Sequence, residues 1–298
     1  MVATAFATTT AYSARAFLLT SLLLATAGCV AEHRSPAWER PGLAFGALGD
    51  TVVDGLISEG DRDYDARATP DRLDEALKAY RAALRYRPYD AQIHVRLARC
   101  AIARAASQGG GDAADRLDEA VHHAEQALVA RNFPLSEKAK GKESPSAVFA
   151  AAELDDLPAL SAYAEALFAW ADHYGANTLV EQAPQIRAAA TRAIALDRHY
   201  DHGAADRVLG SLDASLPKSA GADLTSALAH FEAALASAPD YLPTRVWFAE
   251  RYALRLHDRE RFLRLLREVL AADPKRPPES LPENRGAQDR ARKLLPHG

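Results

Sequence analysis

The chain has 298 residues, 36 Lys and Arg against 40 Asp and Glu, a formal charge of −4 and only two cysteines. Charges so evenly mixed exclude the basic footprint of a nucleic-acid binder, and two cysteines exclude a disulfide-stapled scaffold. There is no Gly-rich phosphate loop, C-x-x-C pair or H-E-x-x-H helix, and no Ser stands in a nucleophile elbow. The sequence therefore predicts neither an enzyme nor a bound cofactor.

Arg15 is the only charge before Glu32. The apolar core after it, Ala16 to Ala25, is shorter than the twenty or so residues a membrane span needs, but it fits the h-region of a secretory signal peptide. Thr26-Ala27-Gly28-Cys29 then resembles the bacterial lipobox, which implies cleavage after Gly28 and lipid on the Cys29 thiol. Ala25-Thr26-Ala27 is also an A-x-A site, and cleavage there leaves a soluble secreted chain. Several acyl chains give a lasting anchor, because each buried methylene contributes about 0.8 kcal/mol. Val30, rather than Asp, follows the cysteine and points to the outer membrane more than the inner.

Residues 1–28 are read as the signal peptide and 29–48 as a flexible tether. The tether carries Ser35-Pro36, Pro41-Gly42 and Gly46 without periodicity. Residues 49–298 are read as an all-α domain, since Ala and Leu recur there at helical spacing and nothing alternates with period two.

Three segments align: ALKAYRAALRYRP from Ala76, AVHHAEQALVARN from Ala120 and ALAHFEAALASAP from Ala227. Each has Ala first and seven on, with Tyr80, Ala124 or Phe231 four on; Pro88 and Pro239 close two of them. This is the pattern of the second helix in a tetratricopeptide-like hairpin: small residues where helices approach, an aromatic beside them, and Pro as terminator. Weaker copies run through Ile186, Ala190 and Ala193, and from Phe262 to Leu270. Asp71, Asp112 and Asp223 stand at the helix starts. Partner helices are expected near 90–106, 157–174, 203–215 and 243–256. The fold class is thus a tetratricopeptide-like helical-hairpin array, with loops inserted at Gly109-Gly110-Gly111 and 131–147.

Cys100 falls on the apolar face of a helix and reads as a buried, inert thiol. His122 and His123 are adjacent on a helix, so they diverge too far to share an ion. Asp197, His199, Asp201 and His202 form the only candidate metal cluster; Zn²⁺ accepts such ligands, but the cluster also reads as a helix end at Gly203 where His meets the dipole and Asp caps the next element. Tyr163, Trp170 and Tyr174 share a helix face, and Trp247 lies in a later aromatic cluster. Such residues build a core or line a binding groove.

Four blocks in order, YAEALFAWADHYG from Tyr163, ALDRHYDHGAADRVLGSLDASLP from Ala195, GADLTSALAHFEAALASAPDYLPTRVWFAERYA from Gly221 and PENRGAQDRARKLL from Pro282, resemble the TatT family of lipoproteins associated with TRAP transporters. The chain has Gly203-Ala204-Ala205 where that family often reads Gly-Gly-Pro, and Leu212-Asp213 where aromatics are common. The resemblance implies a lipid-anchored, periplasm-facing helical protein that docks the transporter's solute-binding subunit. It also implies oligomerisation, a trimer being one form, and a small hydrophobic ligand. Tyr163, Trp170, Tyr174, Arg207 and Trp247 are the expected binding residues. The competing expectation is a general tetratricopeptide scaffold for envelope assembly with no ligand site.

Overall fold

The computed structural model describes residues 34–39, 50–69, 71–107 and 112–295. The signal segment 1–28, Cys29 and the glycines 109–111 lie outside the described residues. What is described is all-α, with no strand among the described residues. The helices are α1 (Asp50–Asp65), α2 (Arg72–Leu84), α3 (Ala91–Ser107), α4 (Asp112–Arg131), α5 (Phe133–Lys140), α6 (Pro145–Phe149), α7 (Leu157–Tyr174), α8 (Ala176–Leu196), α9 (Tyr200–Ser215), α10 (Leu224–Ser237), α11 (Pro243–Trp247), α12 (Arg259–Ala271) and α13 (Leu281–Leu294). A π-helical stretch, Phe248–Ala253, continues α11. Chain neighbours pair into hairpins: α1 with α2, α3 with α4, α7 with α8, α9 with α10, and α12 with α13.

The aligned segments fall on α2, α4 and α10, and their alanines do what the spacing requires. Ala76, Ala83, Ala120, Ala127, Ala227 and Ala234 are fully buried. The aromatic four positions into the segment packs on a glycine of the partner helix. A Cβ on Gly60 of α1 would lie 2.5 Å from the Tyr80 ring, and one on Gly210 of α9 would lie 3.0 Å from Phe231. Close helix approach thus depends on a glycine facing an aromatic, with no room for a methyl group.

Three buried clusters follow one another along the array. One joins α1 to α3, a large one spans α3 to α9, and the last runs from the end of α9 to α13. Cys100 belongs to the first and is fully buried; burial pushes its thiol up to about 12.

Two regions differ from expectation. The stretch 131–147, expected as a loop, contains α5 and the start of α6. Asn132 caps α5 by accepting from the Leu135 N–H, and Ser144 caps α6 by accepting from Ala147. Pro134 and Pro145 sit in the first turns, where a missing N–H is harmless. A composition rich in Lys, Ser and Pro hid two capped starts. Within the segment read as a tether, residues 34–39 are docked on the helices. The Ala37 N–H donates to Glu125 Oε2 at 2.8 Å, Arg34 pairs with the buried Glu125, and the Trp38 ring lies 6.2 Å from Tyr163. A buried carboxylate needs such partners, and Glu125 on α4 holds this strap in place.

Candidate functional site

Arg67, just beyond α1, reaches across to α13 and forms a bidentate pair with Glu283, both contacts 2.8 Å; its Nη2 also donates to the Glu279 carbonyl. The start of the array is thereby tied to its last helix. Between them is a cavity of about 1310 Å³, walled by α1, α3, α7, the start of α9, α11 and α13. That exceeds the few hundred cubic ångströms that suffice for a small-molecule site.

Its floor is made by an unusual bend. The helix before it ends at Leu196, not at Gly203 as the sequence suggested. Asp201, His202 and Gly203 are then all left-handed, at φ 49°, 59° and 72°. Left-handed backbone costs an L-residue about 1 to 2 kcal/mol, and Asp and His are among the side chains that tolerate it best. Gly203 also meets a steric limit, since a Cβ there would lie 3.2 Å from the Ala234 backbone. Contacts hold the bend in place: Arg99 to Asp201 at 3.3 Å, Arg207 Nη1 to the His202 carbonyl at 3.0 Å, and Ser280 Oγ with His202 Nε2 at 3.1 Å. The His202 ring stacks on Tyr241, centroids 4.5 Å apart and planes 8° from parallel. Strain held this way by surrounding contacts is a feature of ligand sites.

Arg207 is 2% exposed and faces the cavity. Its guanidinium carbon lies 4.7 Å from the Tyr241 ring centre and 5.9 Å from Trp247. These are cation–π distances. No carboxylate among the described residues comes within ion-pair range, 4.0 Å. From α7, Pro158, Ala162 and Glu165 line the same space. Burial pushes the Glu165 carboxyl up; Arg207 and Arg99 pull it down, while Asp201 and Glu283 add to the rise.

Of the residues expected to bind, the fold brings Arg207 and Trp247 together on the cavity wall. Tyr163 and Trp170 face the other way, into the core at 1% and 0% exposure. Tyr163 packs 5.4 Å from Phe149, and Trp170 Nε1 donates to Asp118 of α4 at 2.6 Å. Tyr174 is half-exposed beside Trp170, outside the cavity lining. The spacing put these three on one face, as found, but α7 is buried nearly all round and the cavity takes its opposite face. Glu165, the lone charge between Leu157 and Ala171, was the signal for that face.

Asp197, His199, Asp201 and His202 each find a different partner. Asp197 accepts from the His199 N–H, His199 meets Ser237, Asp201 pairs with Arg99, and His202 meets Ser280. Among the described residues no three His, Cys, Asp or Glu side chains converge on a metal-sized point. Arg99, Glu165 and Tyr241 are cavity residues that the sequence reading did not single out.

An array of helical hairpins around a charged, partly aromatic cavity, with no helix among the described residues long and apolar enough to cross a membrane, defines a class: an α-helical protein with a cavity of small-molecule size. Residues 89–298 match the model of the TRAP transporter T-component family, TAtT, and the chain belongs to that family. It is thus associated with a TRAP transporter, in the cell envelope; the family is a transport component, not a known enzyme family. No curated protein matches the sequence individually. The match opens two residues before α3, so α1, α2 and Arg67 precede it while Glu283, the other half of the closure, lies within it.

Proposed function

We propose that this chain is an envelope-facing accessory subunit of a TRAP transporter that binds the solute-binding subunit and holds a small molecule in its cavity. Cys29 is its point of lipid attachment, and the outer membrane is the favoured site. The observation that carries the ligand part is the cavity of about 1310 Å³, with a buried guanidinium and aromatic rings on its wall. A scaffold that only gathers partners does not need a polar interior kept open against the cost of burying charge. The resemblance to TatT proteins supports docking to the solute-binding subunit and assembly of several copies, a trimer among them.

The ligand expected from the resemblance is hydrophobic. The cavity supports an aromatic or apolar body in the ligand, through Tyr241 and Trp247, and adds charged groups that a pure hydrocarbon would leave desolvated. Native mass spectrometry of the protein purified from its own host tests the ligand part: a stoichiometric small molecule supports it, and an empty protein that binds no aromatic probe removes it. Intact-mass analysis of the mature N-terminus tests the anchor, which requires Cys29 at the N-terminus carrying acyl chains.

A further inference from the structure

Most charged groups around the cavity are matched: Arg67 with Glu283, Arg99 with Asp201, Arg96 with Asp61 and Arg104 with Asp74. Arg290 pairs with Glu250 in the same way. Asp65, Asp71 and Glu279 are exposed. Two groups facing the interior remain. Arg207 donates one hydrogen bond, to the His202 carbonyl, and has no carboxylate partner; its other N–H groups are uncommitted. Glu165 makes no hydrogen bond or ion pair among the described residues, although Arg207 is the cation that does most to hold its carboxyl down. The two sense each other's charge but do not touch.

Arg207 with uncommitted N–H groups and Glu165 without a donor line one cavity, where both are free to engage a ligand, and a ligand that displaces their water must replace its hydrogen bonds. An anion alone satisfies Arg207 and adds a second negative charge next to Glu165. An amine alone does the reverse. A neutral apolar molecule expels water from both. A molecule bearing both charges satisfies each group and keeps the site neutral.

We propose, resting on the reading of the cavity as a ligand site, that its ligand is a zwitterion of the amino-acid type. Its carboxylate meets the Arg207 guanidinium, its ammonium meets Glu165, and an aromatic or apolar body lies against Tyr241 and Trp247. Arg207 suits the carboxylate because two of its N–H groups can engage both oxygens at once. Its position over Tyr241 and Trp247 holds it there without a competing protein carboxylate.

The test is displacement of a neutral fluorescent probe, N-phenyl-1-naphthylamine, from the full-length protein. Three competitors share one body: L-phenylalanine, 3-phenylpropanoate and 2-phenylethylamine. Phenylalanine should displace the probe at a concentration at least about tenfold below either relative, a difference of about 1.4 kcal/mol. In Glu165→Gln, a near-isosteric change, that advantage over 3-phenylpropanoate should disappear while 3-phenylpropanoate itself binds at least as well. Arg207→Lys, which keeps the charge but not the fork, should weaken phenylalanine about tenfold. Equal displacement by 3-phenylpropanoate or phenylethylamine overturns the zwitterion, as does an unchanged advantage in Glu165→Gln. In either case probe binding would leave the cavity reading standing. If the probe does not bind at all, the cavity reading fails, and the zwitterion proposal with it.

Discussion

Asn284 is fully buried near the start of α13 and spends every hydrogen-bonding group it has. Its Oδ1 accepts from the Leu242 N–H at 2.8 Å, and its Nδ2 points at the carbonyls of Asp240, Pro274 and Arg276 at 3.1, 3.3 and 2.8 Å. It therefore ties together the loops that precede α11 and α13, and it grips both neighbours of Tyr241. Asn284→Ala leaves one buried N–H unsatisfied, at about 1 to 3 kcal/mol, and removes donors from three carbonyls whose individual bonds contribute about 1 kcal/mol or less. A total of about 3 to 4 kcal/mol lowers the melting temperature of a domain this size by about 6 to 16 °C. Asn284→Asp is the sharper test. It keeps the acceptor for Leu242 but turns a carboxylate oxygen toward three carbonyl oxygens, so it should be at least as destabilising as Ala. Thermal melts followed by circular dichroism read both, and affinity for a cavity probe should fall with them because Tyr241 loses its supports. An Asn284→Asp protein that melts like the wild type would refute the donor network, and so would a loss under about 2 °C in Asn284→Ala.

Three further outcomes follow from the packing. Gly210→Ala should cost about 1 to 2 kcal/mol, because the new methyl presses on Phe231, which is stacked 4.9 Å from Phe248 and cannot withdraw, while the gain in helix propensity offsets about 1 kcal/mol; a stabilised variant in chemical denaturation would contradict it. The buried imidazoles of His94 and His123 meet at 3.0 Å, Nδ1 to Nδ1. Because His94 Nε2 lies 3.0 Å from the Pro88 carbonyl and must donate to it, the neutral pair has His123 Nδ1–H donating to His94 Nδ1. Burial holds both below the ordinary 6.5. The unfolded chain therefore binds more protons in the interval beneath 6.5, and stability falls as pH drops through it. Melting temperatures between pH 7 and 5 should show that loss, and His123→Asn should reduce it; an unchanged slope counts against the pair. Arg187 Nη2 lies 2.6 Å from Oδ1 of the fully buried Asp213, off-line for a hydrogen bond but close as an ion pair. Arg187→Ala should cost about 2 kcal/mol, below the figure for a fully buried pair since Arg187 is half-exposed. Adding Asp213→Asn should recover much of it, and a double variant no better than the single argues against the pairing.

Much of the helical layout was legible because its causes are local. Ala at a spacing of seven required close helix pairs, and α2, α4 and α10 are built that way, with an aromatic between the alanines in α2 and α10. Asp223 also caps α10 as expected, accepting from the Thr225 and Ser226 N–H groups. Asp71 precedes α2, yet its side chain caps nothing, since its backbone is left-handed at φ 68°. The cavity was harder to read. Periodicity grouped Tyr163 with Trp170 but could not say whether that face of α7 met α4 or open space. Asp-His-Gly is a sequence that tolerates left-handed backbone, yet three such residues in a row persist only because Arg207 of the same helix and Arg99, Tyr241 and Ser280 from three other parts of the chain converge on them. The Arg67–Glu283 closure joins residues 216 positions apart, a separation at which no local pattern carries information.

Whether the chain engages the solute receptor of a TRAP transporter is decided by purifying the full-length chain, cross-linked in its native membranes, and identifying what comes with it by mass spectrometry. The expected result is recovery of a TRAP solute-binding subunit in stoichiometric amount. Recovery of envelope assembly factors with no TRAP subunit would contradict it.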